Sequence, residues 1–261
     1  MKDKDALIWA RRKLLERVEN PDLEAEVLLR SLLGISREEL WTRDHEVSEE
    51  KLKEVVELRA EHYPLQYITG EVEFFSRKFL MREGVFIPRP ETEGLVEVAL
   101  EVLEPGQRVV EVGVGSGIVS ITLALERPGL RLYADDINPL AVDLARENAR
   151  RLGTRVSLLL GDALLPFQRK FHAVVSNPPY VAPGEEVSPE LKYEPREAYL
   201  APPDGLSFIR RLLEQAREVL LPGGKVVVEI SPSQGPFLRK NYGARIFKDL
   251  SGRDRVALIV L

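Results

Sequence analysis

Residues 108–117 read RVVEVGVGSG, an apolar run of valines that ends in glycines spaced two positions apart. A β-branched run of this length is typical of a buried strand. Glycines directly after such a strand allow a tight turn and a close approach of the backbone to a ligand. The exposed amides at the start of the following helix favour polar or anionic groups. The stretch therefore predicts a strand, a ligand-binding loop and a helix, in that order.

Strand-like and helix-like segments alternate after this loop. The strand-like runs are RLYADD, RVSLLL, FHAVVS and GKVVVEI, and most of them are separated by segments with helical periodicity. This alternation predicts an α/β fold with a parallel sheet. The tail adds ARIFKDL and DRVALIVL, which lie too close together for a helical crossover. We therefore expect these last two runs to form an antiparallel pair at the edge of the sheet.

The part of the chain before residue 91 differs in composition and periodicity. Residues 1–70 show only helical patterns and carry 12 Lys and Arg against 16 Asp and Glu. The helical patterns predict a small helical domain. Because an acidic segment binds nucleic-acid phosphates poorly, we expect this domain to dock a protein substrate. Residues 71–90 are rich in Phe and Val around Gly84, which predicts a hairpin linker. Residues 91–261 then form the α/β domain.

Composition excludes several classes of protein. The 261 residues carry a formal net charge of -5, contain no cysteine and include three histidines without ligand spacing. We therefore expect neither a disulfide nor a metal site. The net charge argues against bulk nucleic acid as the main partner. No apolar run is long enough to span a bilayer, and the first residues do not resemble a signal peptide, so we expect a cytoplasmic protein.

Acidic residues stand at the ends of three successive strands. Glu111 precedes the glycine loop, Asp136 ends the second strand and Asp162 follows the third. A carboxylate at the end of the second strand accepts hydrogen bonds from ribose hydroxyls in nucleoside ligands, and Asp135 is an alternative for that role. The spacing G-x-G-x-G differs from that of dinucleotide-binding loops, and Glu111 suits a ligand with an ammonium and a sulfonium. We therefore expect S-adenosylmethionine as the cofactor.

The fourth strand ends in Ser176-Asn177-Pro178-Pro179-Tyr180. Two prolines make this loop stiff and poor in N–H donors, Asn177 adds a carbonyl acceptor, and Tyr180 offers a flat face. These features fit a planar group that bears an NH₂, either a carboxamide or the amino group of a base. The Asn177 side chain and the Pro178 carbonyl would hold the two N–H groups and stabilise the positive charge that develops during methylation.

Five motifs together resemble one family. EVGVGSG, NPPY, FIPRPETE, YEPREAYLAPPDGL and LLPGGKVVVEI are similar to the release-factor glutamine methyltransferases, the PrmC/HemK family of class I methyltransferases with a Rossmann-like sheet. The resemblance covers nearly the whole chain. It implies methyl transfer from S-adenosylmethionine, with S-adenosylhomocysteine as the product, to the glutamine of the Gly-Gly-Gln motif in peptide-chain release factors. A ribosomal-protein glutamine methyltransferase and an adenine-amino methyltransferase remain as alternatives, since the same pocket would accept a flipped base.

The resemblance also implies roles for individual residues. The cofactor would contact Glu111, Gly113, Val114, Gly115, Ser116, Gly117, Asp136, Asp162, Ala163 and Asn177. The glutamine would be held by Asn177, Pro178, Pro179 and Tyr180, with Asn177 and Pro178 as the catalytic residues. Relatives can carry an aromatic residue at the position of Ala163. Two further groups have two interpretations each: Arg89, Glu91 and Thr92 close the cofactor site or start a helix, and Tyr193, Glu194 and Arg196 line the substrate mouth or brace a loop.

Overall fold

The computed structural model describes residues 1–168 and 170–261 and divides them into two compact units. The first unit comprises Met1–Glu71 together with Ser188–Tyr193, and the second comprises Val72–Val187 and Glu194–Leu261. The short segment Ser188–Tyr193 thus belongs to the first unit although the chain on both sides of it belongs to the second. None of the helices in the described part of the chain is long and apolar enough to cross a membrane.

The first unit is helical, as the periodicity predicts. Its helices are α1 (Asp3–Leu14), α2 (Pro21–Leu33), α3 (Arg37–Thr42), α4 (Glu49–Ala60) and α5 (Leu65–Thr69), and Pro189–Tyr193 adds a 3-10 turn. Ala and Leu side chains of α1, α2 and α4 form its core. A reciprocal pair of hydrogen bonds between Ser36 and Glu39 caps the start of α3. Buried Arg59 of α4 forms ion pairs with Glu24 of α2 and Glu190 of the 3-10 turn.

A hairpin of β1 (Glu71–Phe74) and β2 (Arg77–Leu80) follows, and all of it after Glu71 belongs to the second unit. We predicted its turn at Gly84, and that position is wrong: the chain turns at Phe75 and Ser76, whose φ angles are 48° and 56°. A two-residue loop with both φ angles positive matches the right-handed twist of the two strands. The Glu93 carboxylate accepts a hydrogen bond from the Phe75 amide at 2.8 Å and so holds the turn.

A seven-stranded sheet forms the rest of this unit. Its elements in chain order are α6 (Thr92–Val102), β3 (Arg108–Val112), α7 (Ile118–Glu126), β4 (Arg131–Asp136), α8 (Pro139–Arg151), β5 (Val156–Leu160), β6 (Phe171–Ser176), α9 (Ser207–Val219), β7 (Leu220–Glu229), α10 (Gly235–Tyr242), β8 (Arg245–Lys248) and β9 (Asp254–Val260). The strand order is β5-β4-β3-β6-β7-β9-β8. The five strands β3, β4, β5, β6 and β7 are parallel, whereas β9 is antiparallel to β7 and to β8. This arrangement confirms the predicted class I methyltransferase sheet with its antiparallel C-terminal pair.

Alternation along the strands creates a core on each face of the sheet. Val110, Val174 and Val226 belong to a cluster that includes apolar residues of α9 and α10. Val109 and Val175 belong to a second cluster with residues of α6 and α7. Because neighbouring residues of a strand point to opposite faces, both faces of these strands are buried. The helices cover the two faces of the sheet, so the carboxyl ends of the strands are the part that can contact a ligand.

Candidate active site

The parallel strands end in register at one edge of the sheet. Val112 of β3 is the partner of Asp135 in β4 and of Ser176 in β6. The residues that follow these partners, which include Gly113, Asp136 and Asn177, therefore meet at the same edge. This arrangement is the usual location of ligand sites in open α/β sheets.

The glycine loop is fixed by hydrogen bonds to the end of β4. The amides of Gly113 and Val114 donate to the Asp135 carbonyl at 3.0 and 2.8 Å. The Gly115 amide donates to Oδ2 of Asp136 at 2.9 Å, and Asn138 donates its amide to Oδ1 of the same carboxylate at 2.9 Å. The loop and the acid at the strand end thus form one preorganised structure.

Two acids at this edge are buried and a third is partly buried. Glu111 is 2% exposed and accepts a hydrogen bond from the Ser120 amide at 2.9 Å. Burial raises the pKa of Glu111 to about 8. Asp135 is fully buried, and its burial, together with the charges of Asp136 and Asp162, raises its pKa to about 8. The pKa of Asp136 is also raised, mainly by burial. The desolvated charge is costly, so Glu111 and Asp135 hold their protons near neutral pH.

Asp162 follows β5 and is held by an arginine from another part of the fold. Arg211 of α9 donates two hydrogen bonds of 2.8 Å to the two oxygens of Asp162. Such a bidentate pair fixes the plane of the carboxylate. Within the described residues, no group of three or more His, Cys, Asp or Glu side chains is arranged to hold a metal ion.

The Ser176–Tyr180 segment is anchored to its neighbours from two sides. The Ser176 hydroxyl donates to the Val112 carbonyl at 2.8 Å, and the Asn177 carboxamide nitrogen donates to the Thr92 hydroxyl at 3.2 Å. Pro178 is buried, and Pro179 and Tyr180 are partly buried. Burial, reinforced by the charge of Glu229, raises the pKa of Tyr180 to about 12, so its phenol stays neutral.

The run after this segment folds back against it. The Val181 amide donates to the Tyr199 carbonyl at 2.8 Å, and the Ala201 amide donates to the Val181 carbonyl at 2.9 Å. Gly205 approaches the Tyr180 carbonyl oxygen so closely that a Cβ at this position would lie 2.7 Å from it. Only glycine leaves room for this contact, which explains why the segment YLAPPDGL contains one here.

The FIPRPETE and YEPREA motifs meet through one buried acid. Glu194 accepts a hydrogen bond from the Ile87 amide at 2.8 Å and forms an ion pair with Arg89. Glu194 therefore braces the loop, whereas the hydroxyl of Tyr193 donates to the Glu61 carbonyl within the first unit. Glu91 precedes α6 without a side-chain cap, and Arg196 begins a short 3-10 turn.

A single cavity at the strand ends gathers most of the predicted residues. It encloses about 920 Å³ of space, part of which is open to solvent. The predicted residues that line it are Glu111, Gly113, Val114, Gly115, Ser116, Asp135, Asp136, Asp162, Ala163, Asn177, Pro178 and Pro179, together with Thr92. Gly117 and Tyr180, which we predicted to contact the cofactor and the glutamine respectively, are not among the lining residues.

Sequence reasoning missed two charged residues near the site. Glu229 ends β7 and is 1% exposed, and burial raises its pKa to about 7. The rule that singled out Asp136 applies equally to an acid at the end of GKVVVEI, so this residue was detectable. Arg211 offers no such signal, because its partner Asp162 lies 49 residues away in the chain.

Comparisons with known proteins agree with this architecture. Residues 5–70 match the family model described as the PrmC N-terminal domain, and residues 77–192 match the methyltransferase small domain. The release factor glutamine methyltransferase of Moorella thermoacetica is 40% identical over 95% of this chain and 94% of its own length. The protein of the same name from Neisseria gonorrhoeae is 38% identical over 91% of this chain and 93% of its own length.

A solved structure shares this class of fold. A 16S rRNA N2 methyltransferase from T. thermophilus, in complex with AdoMet and guanosine, is 18% identical with a TM-score of 0.55. The match covers 73% of this chain and 49% of that one. At this level of identity the likeness extends to the fold alone, a class I methyltransferase sheet.

Proposed function

This chain belongs to the release factor glutamine methyltransferase family, and on that premise we propose that it methylates the side-chain amide of the glutamine in the Gly-Gly-Gln motif of a release factor. The methyl donor of this family is S-adenosylmethionine. One observation carries the proposal: Asn177 lies in the same cavity as the glycine loop and the acids at the strand ends. Donor and acceptor would therefore meet at the end of β6.

The cavity suits S-adenosylmethionine, which supplies an electrophilic methyl group on its sulfonium. Gly113 and Gly115 line the cavity, and a Cβ built on either would meet nothing within 4 Å, so the loop is open on that side. Asp136 would accept hydrogen bonds from the ribose, because it is less buried than Asp135 and is already oriented by two backbone amides. Glu111 would lie near the cationic end of the cofactor.

The amide of the substrate would be held by the Asn177–Tyr180 segment. The Asn177 nitrogen donates to Thr92, which turns Oδ1 to the opposite side of the carboxamide. Oδ1 and the Pro178 carbonyl would accept the two N–H groups of the glutamine and align its nitrogen with the methyl. As the new bond forms, positive charge develops on that nitrogen, and the two acceptors stabilise it. The methylated nitrogen then loses a proton to solvent, so a strong base is unnecessary.

The acidic helical unit favours a protein substrate over nucleic acid. Within residues 1–70, 16 acidic residues outnumber 12 basic ones, and a nucleic-acid methyltransferase needs basic side chains to neutralise phosphates. A ribosomal-protein glutamine remains a candidate acceptor, since the same pocket would hold it. The cytoplasm, where release factors act, is the compartment that the proposal implies.

A labelling experiment separates these acceptors. The protein is incubated with methyl-labelled S-adenosylmethionine and either a release factor, the same factor with its Gly-Gly-Gln glutamine replaced, ribosomal proteins, or DNA. We expect label only on the unmodified release factor. Label on DNA or ribosomal protein, or label that persists without the glutamine, contradicts the proposal. The Asn177→Ala variant should lose transfer and retain part of its cofactor binding.

A second experiment addresses the helical unit. We propose that residues 1–70 dock the release factor, so their deletion should impair methylation of the intact factor more than that of a short Gly-Gly-Gln peptide. The deletion also removes Arg59, the partner of Glu190. The full-length Glu190→Gln variant, which removes the charge of that partner and keeps the Arg59–Glu24 pair, is therefore the matched control. Equal losses on both substrates would contradict the docking role.

A further inference from the structure

Thr92 is a buried hydroxyl in direct contact with the proposed amide-binding residue. It is the first residue of α6 and is 1% exposed. Its oxygen accepts the hydrogen bond from the Asn177 carboxamide nitrogen at 3.2 Å, and its side chain lines the same cavity. A threonine hydroxyl can both donate and accept, so the direction of this hydrogen bond depends on what else the hydroxyl contacts.

The direction matters because the two ends of a carboxamide have opposite character. When Nδ2 of Asn177 donates to the Thr92 hydroxyl, the acceptor Oδ1 of Asn177 faces the cavity. If Oδ1 instead accepted a hydrogen bond from Thr92, the N–H₂ group of Asn177 would face the N–H₂ group of the substrate. Two donors would then oppose each other, and the acceptor that the developing positive charge requires would be lost.

Glu229 is the second buried polar group in this region, because α6, which begins at Thr92, packs against β7, which ends at Glu229. It ends β7 beside β6, where Val228 is the partner of Ser176, and it is 1% exposed. Among the described residues, neither of its carboxyl oxygens has a hydrogen-bond partner in place. Burial raises the pKa of the Glu229 carboxyl, whereas the nearby Thr92 hydroxyl and the charge of Arg255 lower it. A buried acceptor without a partner is costly, so it attracts the hydroxyl hydrogen of Thr92.

We propose that Thr92 and Glu229 are positioning residues that orient the Asn177 carboxamide with Oδ1 toward the methyl-accepting nitrogen. The inference rests on the proposed function. The hydroxyl hydrogen of Thr92 turns toward Glu229, which leaves a lone pair of the Thr92 oxygen for Nδ2 of Asn177. Glu229 lies outside the cavity lining, so it acts on the substrate only through these two side chains.

The first test compares two substitutions of Thr92. Thr92→Val removes the hydroxyl and keeps the shape, whereas Thr92→Ser keeps the hydroxyl. We expect Thr92→Val to lower kcat for the release factor by roughly 10- to 100-fold. This is less than the roughly 100- to 1000-fold loss seen when a hydrogen bond to the reacting atoms is removed, because Thr92 acts through Asn177. Its affinity for S-adenosylmethionine should change less than about twofold, since the cofactor contacts remain. Thr92→Ser should restore most of kcat.

The second test uses Glu229. Glu229→Gln keeps an acceptor for Thr92, and Glu229→Leu removes it at similar volume. We expect Glu229→Leu to lose kcat about as far as Thr92→Val, without a fall in melting temperature, because replacing a buried unpartnered acid by an apolar side chain is often neutral or stabilising. The double variant Thr92→Val/Glu229→Leu should be no slower than either single variant, since both remove the same orientation.

The outcomes separate this inference from the proposed function. An active Asn177→Ala variant overturns the function of the pocket itself. An inactive Asn177→Ala variant combined with a fully active Thr92→Val variant overturns only the positioning role. Loss of kcat that follows loss of stability across all four variants, with no restoration in Thr92→Ser, identifies a structural role and also overturns the inference.

Discussion

Gly117 and Gly115 belong to the same loop, and their replacement by alanine should have opposite consequences. At Gly117 the φ angle is +85°, and a Cβ would lie 2.9 Å from Cδ1 of Ile121 and 3.0 Å from Cβ of Ala145. At Gly115 the φ angle is +53°, and a Cβ would meet nothing within 4 Å. Gly117 thus allows α7 to pack closely on α8, whereas Gly115 leaves the cavity open.

These contacts set the expected magnitudes. The left-handed conformation costs an alanine about 1–2 kcal/mol at either position. At Gly117 the overpacking against α8 adds about 1–3 kcal/mol, so Gly117→Ala should lose about 2–5 kcal/mol of stability. For a domain of this size that corresponds to a fall in melting temperature of roughly 5–20 °C. Gly115→Ala should lose only about 1–2 kcal/mol.

For cofactor binding, Gly115→Ala should have the larger effect and Gly117→Ala the smaller one. The Gly115→Ala methyl group would occupy space that we assign to S-adenosylmethionine, so we expect at least a tenfold weaker Kd by calorimetry, equivalent to about 1.4 kcal/mol. Folded Gly117→Ala should bind the cofactor nearly as the native protein does. Native-like melting of Gly117→Ala would refute the packing argument, and native-like affinity of Gly115→Ala would refute the assignment of the loop to the cofactor.

Two further predictions concern buried charges. The carboxyls of Glu111, Asp135 and Glu229 have raised pKa values in the folded protein and titrate near 4 when unfolded, so the unfolded chain releases their protons first as the pH rises. Stability should therefore fall between pH 5 and about pH 8 in urea titrations, and Glu229→Gln should remove about 3 kcal/mol of that fall. A flat profile would contradict the burial of these acids. Arg59→Met should destabilise the helical unit by about 3–5 kcal/mol, measured by its melting, because it leaves the Glu24 carboxylate, whose side chain is 13% exposed, without its partner. Unchanged melting would show that the ion pair contributes nothing.

The edge of the sheet was predictable from the sequence because it follows from local rules. Parallel strands end at a common edge, so residues directly after valine-rich runs must come together there. Asp136, Asp162 and Asn177 were found in this way, although they are separated by up to 41 positions. The class of fold and the antiparallel C-terminal pair followed from the lengths of the connections.

The same local rules could not predict contacts between segments that are distant in the chain. The pair of Arg211 with Asp162 depends on how α9 packs on the sheet. The segment Ser188–Tyr193 belongs to the helical unit, and its Glu190 pairs with Arg59, which lies 131 positions away in the chain. The hairpin turn was misplaced because Gly84 is a strong local turn signal. Phe75 and Ser76 adopt positive φ angles only because the strands and Glu93 hold them there.

Charge is the property for which the sequence misleads most. Read as a sequence, Glu111 and the acids at the ends of the next strands are negative charges that attract a cationic cofactor. In the fold, burial raises the pKa values of Glu111 and Asp135 to about 8, so the cavity is less negative at neutral pH than the residues suggest. A sulfonium brought beside Glu111 would favour its ionised form, since an opposite charge lowers the pKa of a carboxyl. The attraction would therefore arise as the cofactor enters, with the release of a proton, and a neutral lining would avoid the cost of burying unpaired charges beforehand.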